Sequence, residues 1–525
     1  MVQFDTLAIL IALGSLGLIY YRKSKKGPYS HLPLPPGPPR KPIVGNLFNM
    51  PSRPEWQDYH KISQEHNTDI IYLNVVGTNI VVLDTHDAAM ELLERRSSKY
   101  SSRAHLPMVN ELMGWDFAVG FKEYGQQWRD CRRLMHHSFH PGAVVLFRPH
   151  MLRATRNLLK RFLDYPENIM GNIRHMSGEG ILSITYGLDV LADNDPYIKV
   201  AEQSLAGFAE AAVPGAFLVD SFSLLKYVPE WFPGAGFQTK ARIWRDAAFE
   251  MRDYTFKGAK KNVLAGTSPH CFVSANLNDM DPSKPDPVKE QLVKDTAGSM
   301  YSGKDEPSAM RASTLSAVGS CILAFLEYPE TLKKAQAELD RVIKPGHLPD
   351  FNDYDSLPYI TALTMETLRW RDVGPIGLPH VLIEEDEYKG YRIPAGTIVI
   401  ANSWAMLHNE ETYKDPFTFN PDRFLTKDGK LDKTARDPGH ACWGFGRRVC
   451  PGRYLAFSGV WITLASLAAV FDITKAVDEK GNIIEPSHEY VNSAIIVPKP
   501  FQASVRPRSR GHEQVIRDAV AAPAA

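Results

Sequence analysis

The sequence predicts a large, mainly helical fold with small β-sheets, and three observations carry that expectation. From about Asp87 to Glu338 apolar residues recur at helical spacing, interrupted by Pro/Gly clusters near residues 214–236 and 266–287. Short β-type runs flank this block. Residues 70–83 (IIYLNVVGTNIVVL) read as a hairpin around Gly77 and Asn79, and further strands are expected in 388–400, 494–497 and 501–505. No repeat of a solenoid kind is present. With 44% hydrophobic and 10% aromatic residues, the 525-residue chain has ample material for a large core and is not a disordered chain.

Charge and cysteine usage narrow the function. Sixty Lys+Arg balance sixty Asp+Glu, so the molecule lacks the net positive field that holds many proteins on nucleic acid, and no nucleic-acid partner is expected. Cys131, Cys271, Cys321, Cys442 and Cys450 are scattered and odd in number, with no C-x-x-C pair. That pattern argues against a disulfide framework or a zinc site and fits a reduced, cytosol-facing body.

The first 26 residues predict a membrane anchor. Thr6–Tyr21 is apolar apart from small hydroxyl residues, and as a helix it would be roughly 24 Å long at about 1.5 Å per residue. That is close to the roughly 27 Å hydrocarbon core of the endoplasmic reticulum, with Tyr20 and Tyr21 at the interface. Asp5 precedes the stretch and Arg22, Lys23, Lys25 and Lys26 follow it, the reverse of a cleaved signal peptide; the positive-inside rule leaves the body in the cytosol. Residues 27–50 then contain LPLPPGPPRKPIVGN, whose prolines fix φ and remove donors, which predicts a stiff hinge. The body is expected over 51–505, with a loose tail over 506–525.

The most informative segment is WGFGRRVCPG, Trp443 to Gly452, leading into an apolar helical stretch from about Tyr454 to Phe471. Gly444, Gly446 and Gly452 allow tight bends and close approach to a flat ligand. Arg448 suits a carboxylate, and the helix after Cys450 offers amide dipoles that favour a thiolate, which would be a metal ligand. This loop resembles the haem-binding signature of the cytochrome P-450 superfamily, F-x-x-G-x-R-x-C-x-G, with Trp443 in the aromatic place. Glu366-Thr367-Leu368-Arg369 sets an acid and a base at i and i+3 on one helix face. FNPDRF (Phe419 to Phe424) follows about fifty residues on, and the resemblance implies that Arg423 joins Glu366 and Arg369 in a structural salt-bridge triad. WRDCRR places Trp128 and Arg132 at i and i+4, one stacked over the other on a helix. The resemblance implies that Arg132 and Arg448 bind haem propionates, with His380 of GLPH a third candidate. YSSR (Tyr100 to Arg103), KKAQAELDRV and IVIANSWAMLH look most like fungal microsomal members.

The resemblance implies a cytochrome P-450 fold behind a single N-terminal transmembrane helix, with Cys450 as axial thiolate to haem b, whose electron push favours O–O cleavage. The implied activity is oxidation of a lipophilic small molecule, of secondary-metabolism or xenobiotic type. Electrons are expected from NADPH through a cytochrome P-450 reductase, with cytochrome b5 a second candidate partner; Arg129, Arg133, Arg447 and Arg453 form the expected proximal basic patch. Apolar segments 104–121 and 206–222 and the residues after Arg371 are expected to line the substrate pocket.

One segment departs from the family pattern. The oxygen-activating helix of the family carries A/G-G-x-D/E-T-T/S, whereas here the text is SGKDEPSAMRASTLSAVGS. Ser302 to Asp305 match its start, Ser313 and Thr314 its end, and Glu306 to Ala312 intervene. In a continuous helix Asp305 and Ser313 would lie about 10 Å farther apart along the axis than in the pattern. Pro307 argues against continuity. A native loop and a misread intron both account for the insertion, so two alternatives to a monooxygenase stay open: a non-oxygenase haem-thiolate isomerase or dehydratase, and a haem protein without turnover.

Overall fold

The computed structural model describes residue 17 and residues 27–51, 54–191, 194–211, 216–280, 284, 286–302, 309–491 and 495–521. The expected anchor, Gly17 apart, and the segment with Lys304, Asp305, Glu306 and Pro307 lie outside the described residues. The chain divides into two compact units, 1–102 with 379–402, and 103–378 with 403–525.

The first unit is built on a four-stranded sheet. β1 (Ile70–Val75) and β2 (Thr78–Leu83) form the expected antiparallel hairpin, with Ile70 opposite Leu83 and Val75 opposite Thr78. β3 (His380–Val381), β4 (Asp386–Tyr388), β5 (Tyr391–Ile393) and β6 (Ile398–Ala401) come from the later segment. β6 runs parallel to β2, β3 pairs with β6, and β4–β5 is a separate hairpin. The proline-rich stretch does not stand off as a spacer. The carbonyls of Pro33 and Pro36 accept from Arg392 N of β5 (2.8 Å) and Tyr72 N of β1 (2.7 Å), so the stretch is bonded to both sheets of this unit. Prolines supply acceptors but no donors, which suits a segment bonded along one side only.

The second unit is helical. Its helices include α1 (Gln126–Phe139), α2 (Arg148–Asp164), α3 (Ile169–Tyr186), α4 (Pro196–Ala211), α5 (Gly236–Leu264), α6 (Pro287–Tyr301), α7 (Ala309–Glu327), α8 (Pro358–Trp370), α9 (Arg453–Val470) and α10 (Arg510–Ala521). α7 packs against α3, α8 and α9. Its residues Leu315 to Leu326 are buried throughout, the signature of a helix that is apolar all round. α9 is long and apolar enough to cross a membrane by composition, yet Val460 to Val470 are buried inside this unit. β11 (Ala503–Pro507), β7 (Phe471–Val477) and β8 (Ile483–Ile484) form one small sheet; β9 (Tyr490–Val491) and β10 (Val497–Pro498) form another.

The loose tail expected over 506–525 is corrected. Arg510–Ala521 is a helix packed on α2, with Ile516 fully buried. Arg508 anchors it through Asp340, at 2.6 and 2.8 Å, and through the Ala469 carbonyl at 3.0 Å.

Candidate haem-binding site

α8 presents Glu366 and Arg369 one turn apart, both fully buried. Arg369 donates Nε to Glu366 Oε2 at 2.7 Å and Nη2 to Oε1 at 2.8 Å. Its other N–H groups reach the carbonyls of Leu407 (3.1 Å), Pro416 (2.7 Å) and Thr418 (3.3 Å), so all five guanidinium donors are used. Arg423 Nε approaches both Glu366 oxygens, at 3.1 and 3.2 Å, and its Nη atoms donate to the carbonyls of Lys414, Asp415 and Thr418. One carboxylate therefore faces two guanidiniums, and the excess positive charge is taken up by carbonyl oxygens of residues 407–418. Asn420 N donates to Glu366 Oε1 at 2.8 Å and closes the arrangement. The structure brings the expected triad together.

The cysteine loop begins after the short helix Gly439–Cys442 and runs into α9. Cys450 N donates to Trp443 O at 2.8 Å, Arg448 N to Phe445 O at 3.2 Å and Val449 N to Gly446 O at 3.1 Å. Gly444 and Gly446 have φ of 73° and 57°, the left-handed region where glycine is unstrained. Gly452 differs from expectation: its φ is −92°, so it makes no glycine-only bend. A Cβ there would meet nothing within 4 Å, so Gly452 leaves open space beside the loop. Cys450 is partly buried. Burial pushes its thiol up, against the pull of the Gly452 N–H and the charges of Arg132 and Arg453. Cys442 is pushed well up by burial, then by Asp372 and Asp437.

Trp128 and Arg132 both lie on α1, but the expected stack between them is corrected. The cation over the Trp128 ring is Arg448, 4.5 Å from its centroid. Arg448 also donates Nη1 to Val119 O at 3.2 Å and Nη2 to Lys122 O at 2.7 Å. Sequence reasoning gave no role to a third arginine here. Arg103 is buried and donates to Leu378 O at 2.7 Å and to Gly120 O at 3.0 Å, the latter on the same backbone turn that holds Arg448. Burial lowers Arg103 well below its usual value, and the next cause is the charge of Arg448. Arg448 is pushed down to about 9 by burial, then by Arg132. Arg132 is lowered by burial, with Cys450 opposing and Arg453 adding to the shift. Arg103, Arg132 and Arg448 thus concentrate positive charge around Trp128 and the cysteine loop.

His380 belongs to the first unit, where its Nδ1 lies 2.7 Å from Tyr100 O. Ser313 and Thr314 sit partly buried in the second turn of α7, while α6 ends at Tyr301. Ser299 of α6 accepts from Val119 N at 2.8 Å, which ties α6 to the turn whose carbonyls accept from Arg103 and Arg448.

With this geometry in place, comparison with known proteins gives the class and then the family. The site is that of a haem-thiolate oxidoreductase, and the family model described as Cytochrome P450 matches residues 35–505. The chain belongs to the cytochrome P450 family. It is 42% identical over 513 residues to cytochrome P450 monooxygenase 98 of Postia placenta, covering 97% of this chain and 96% of that protein. It is 41% identical over 507 residues to tryptamine 4-monooxygenase of Psilocybe cyanescens, covering 96% and 98%. The protein is a P450 monooxygenase of mainly helical fold with small sheets. The family uses haem with a cysteine thiolate axial ligand and takes electrons from NADPH through a reductase. The residues present fit that group: a cysteine on a glycine-bent loop with open space beside it, and buried Arg103 with half-buried Arg132 and Arg448, suited to two propionate carboxylates.

Proposed function

We propose that this protein oxidises a flat, lipophilic small molecule at the endoplasmic reticulum membrane, inserting one atom of dioxygen with electrons from NADPH through a cytochrome P-450 reductase. The observation that carries the reading is the convergence of buried Arg103 and half-buried Arg132 and Arg448 beside the Cys450 loop, a concentration of positive charge suited to carboxylates. When bound, haem supplies dioxygen activation and oxygen insertion. Cys450 is the thiolate ligand, and the Cys450 N to Trp443 O bond sets its height in the loop. Arg103, Arg132 and Arg448 hold the propionates, and Trp128 braces Arg448. Gly446 and Gly452 keep side chains away from the face of a flat group. The Glu366–Arg369–Arg423 triad fixes residues 407–423. Asp305, with Ser313 and Thr314, moves protons on the distal side.

Trp115, Phe117, Phe121 and Phe208 support a planar substrate: Trp115 lies 4.5 Å from Phe208 and 5.3 Å from Phe117, and Phe121 5.2 Å from Phe208. An indole of the kind named in the tryptamine 4-monooxygenase relative is one such ring system. The membrane reading rests on the apolar stretch at 6–21, with 1–26 as anchor and 27–50 as connector. It is also supported by a surface patch in which Leu224 is 79% and Trp231 81% exposed. Arg129, Arg133, Arg447 and Arg453 offer a proximal basic face to the reductase, with cytochrome b5 as a second partner.

A second reading, a haem-thiolate isomerase or dehydratase or a haem protein without turnover, is favoured by one feature of the sequence: Glu306 to Ala312 intervene between Asp305 and Ser313. NADPH consumption with product formation in the presence of reductase separates the readings. Substituting each cysteine by Ser tests the ligand: Cys450→Ser is expected to lose the thiolate-type carbonyl spectrum and Cys442→Ser to keep it, and the reverse result would overturn the assignment.

A further inference from the structure

A cavity of about 230 Å³ opens on the second unit, lined by Leu112, Val228, Pro229, Gln238 and Ala241 and by the charged residues Lys226, Glu230, Arg242 and Arg245. Three cations thus meet one acid. Lys226 is held by both Glu111 oxygens, at 2.7 and 3.0 Å, and Arg242 by Glu230 at 3.2 Å. Arg245 makes no ion pair or side-chain hydrogen bond among the described residues. The Gln238 amide donates to the carbonyls of Lys226 (2.9 Å) and Val228 (3.0 Å) and braces the wall between them. Lined by a neutral wall, two compensated cations and one uncompensated guanidinium, the cavity is suited to a small oxyanion.

Its rim is apolar and faces solvent. Tyr227 precedes the lining stretch Val228–Glu230 and Trp231–Phe232 follows it. Tyr227 is 74% exposed, Trp231 81% and Phe232 51%; Leu224 and Phe222 are exposed nearby in sequence. Ile243, between Arg242 and Arg245, is 54% exposed. An aqueous anion needs no such collar of aromatic and aliphatic side chains. The headgroup phosphate of a membrane lipid does, because its acyl chains and glycerol lie against whatever surrounds the phosphate.

We propose that this cavity binds the phosphate of an anionic phospholipid headgroup, with Arg245 as its principal donor, while Leu224, Tyr227, Trp231 and Phe232 enter the interface around it. The inference rests on the membrane reading above and adds to it a defined headgroup site. Arg245 faces no acid that would have to be displaced, and Glu230 weakens the site by sharing Arg242.

The test uses the full-length, haem-loaded enzyme with phosphatidylcholine vesicles, alone or mixed with phosphatidic acid. The unmodified protein is expected to partition more strongly onto the mixed vesicles, and Arg245→Gln to lose roughly fivefold in that preference, the loss expected of one cation near an anionic surface. Its binding to neutral vesicles should not change. Glu230→Gln should move the preference the other way, a gain that a folding defect would not produce. Lys344→Gln, an exposed cation elsewhere, serves as control. If Lys344→Gln costs as much as Arg245→Gln, the attraction is diffuse and the proposal fails. If inorganic phosphate alone binds the enzyme in an Arg245-dependent manner while the vesicles show no charge preference, the site takes free phosphate and the lipid assignment is overturned. Failure to bind neutral vesicles at all would instead refute the membrane reading.

Discussion

Asp372, the third residue beyond the Arg369 of the triad, offers a quantitative test of how this interior is held. It is almost fully buried and its Oδ2 lies 2.6 Å from Ser403 Oγ. The same hydroxyl lies 3.0 Å from Gly374 O and 2.9 Å from Pro375 O. A hydroxyl has one proton and here faces three oxygen acceptors. The arrangement is satisfied if Asp372 is protonated and donates to Ser403 Oγ, which then donates to the two carbonyls. Burial accordingly raises Asp372 from the usual 3.8 to about 7, against the bonds from Ser403 and Gly374 N. Cys442, whose thiol senses Asp372, is itself pushed well up and stays neutral through this range. Arg371, next to Asp372 in the chain, stacks on Trp370 and Tyr490, at 4.5 and 5.5 Å.

The sign follows from the raised value. Between pH 3.8 and about 7 the folded protein holds a proton that the unfolded chain has lost, so this group's stabilisation is complete at the acid end and disappears as pH rises through 7. At about 1.4 kcal/mol per pH unit the whole effect is on the order of 4 kcal/mol. Asp372→Asn mimics the protonated acid: Nδ2 donates to Ser403 Oγ and Oδ1 accepts from Gly374 N. For 525 residues an unfolding entropy of about 1.1 kcal/mol/K turns 4 kcal/mol into a Tm difference of about 4 °C. The variant is expected to melt higher than the unmodified enzyme by about that amount at pH 8.5 or so, with the gap closing toward about pH 4. Thermal melts of the two haem-loaded proteins, followed by tryptophan fluorescence across the pH range, measure it. A gap that does not change with pH would refute the proton assignment.

Three further outcomes are expected. Glu366→Ala should abolish haem incorporation rather than slow turnover, because it leaves Arg369 buried without its carboxylate at a cost of roughly 3–5 kcal/mol; normal haem content would reduce the triad to packing. Ile516→Ala, at the contact of α10 with α2, should cost about 2–5 kcal/mol in a denaturant melt, and an unchanged midpoint would mean that the C-terminal helix contributes nothing to the body. Deleting Glu306 to Ala312, which joins Asp305 to Ser313, should raise the ratio of product formed to NADPH consumed; equal or better coupling in the full chain would make the insertion a native loop.

The parts of the site that were legible in the sequence are those whose geometry is local. Glu366 and Arg369 meet because i and i+3 share a helix face, and Cys450 is set by loop bonds spanning two to seven residues. Arg423 was placed by its motif rather than by spacing, since 57 residues separate it from Glu366. The Trp128–Arg132 expectation failed for the opposite reason. Sequence spacing makes them neighbours on α1, but the ring takes its cation from Arg448, 320 residues away, whose guanidinium is steered by Val119 O and Lys122 O. Arg103 carried no signal at all: a single arginine after YSS has no periodicity, and its importance comes from sharing a backbone turn with Arg448.

The two structural corrections have a common physical origin. The proline-rich composition of residues 27–50 predicts a spacer because proline lacks a donor, but the carbonyls of Pro33 and Pro36 suffice when two strands supply the N–H groups, as Arg392 and Tyr72 do. The Arg- and Ala-rich composition of residues 506–525 predicts a loose tail. Yet Ile516 and Val520 stand at i and i+4, a narrow stripe, and Arg508 enters the segment already bonded to Asp340 and Ala469. In both segments the stabilising partner lies far away in the chain, so local composition describes what the segment lacks and says nothing of what its partner provides. The same holds for Arg103: alone it carries no signal, and its convergence with Arg132 and Arg448 near Cys450 builds the positive field that a dianionic cofactor would neutralise.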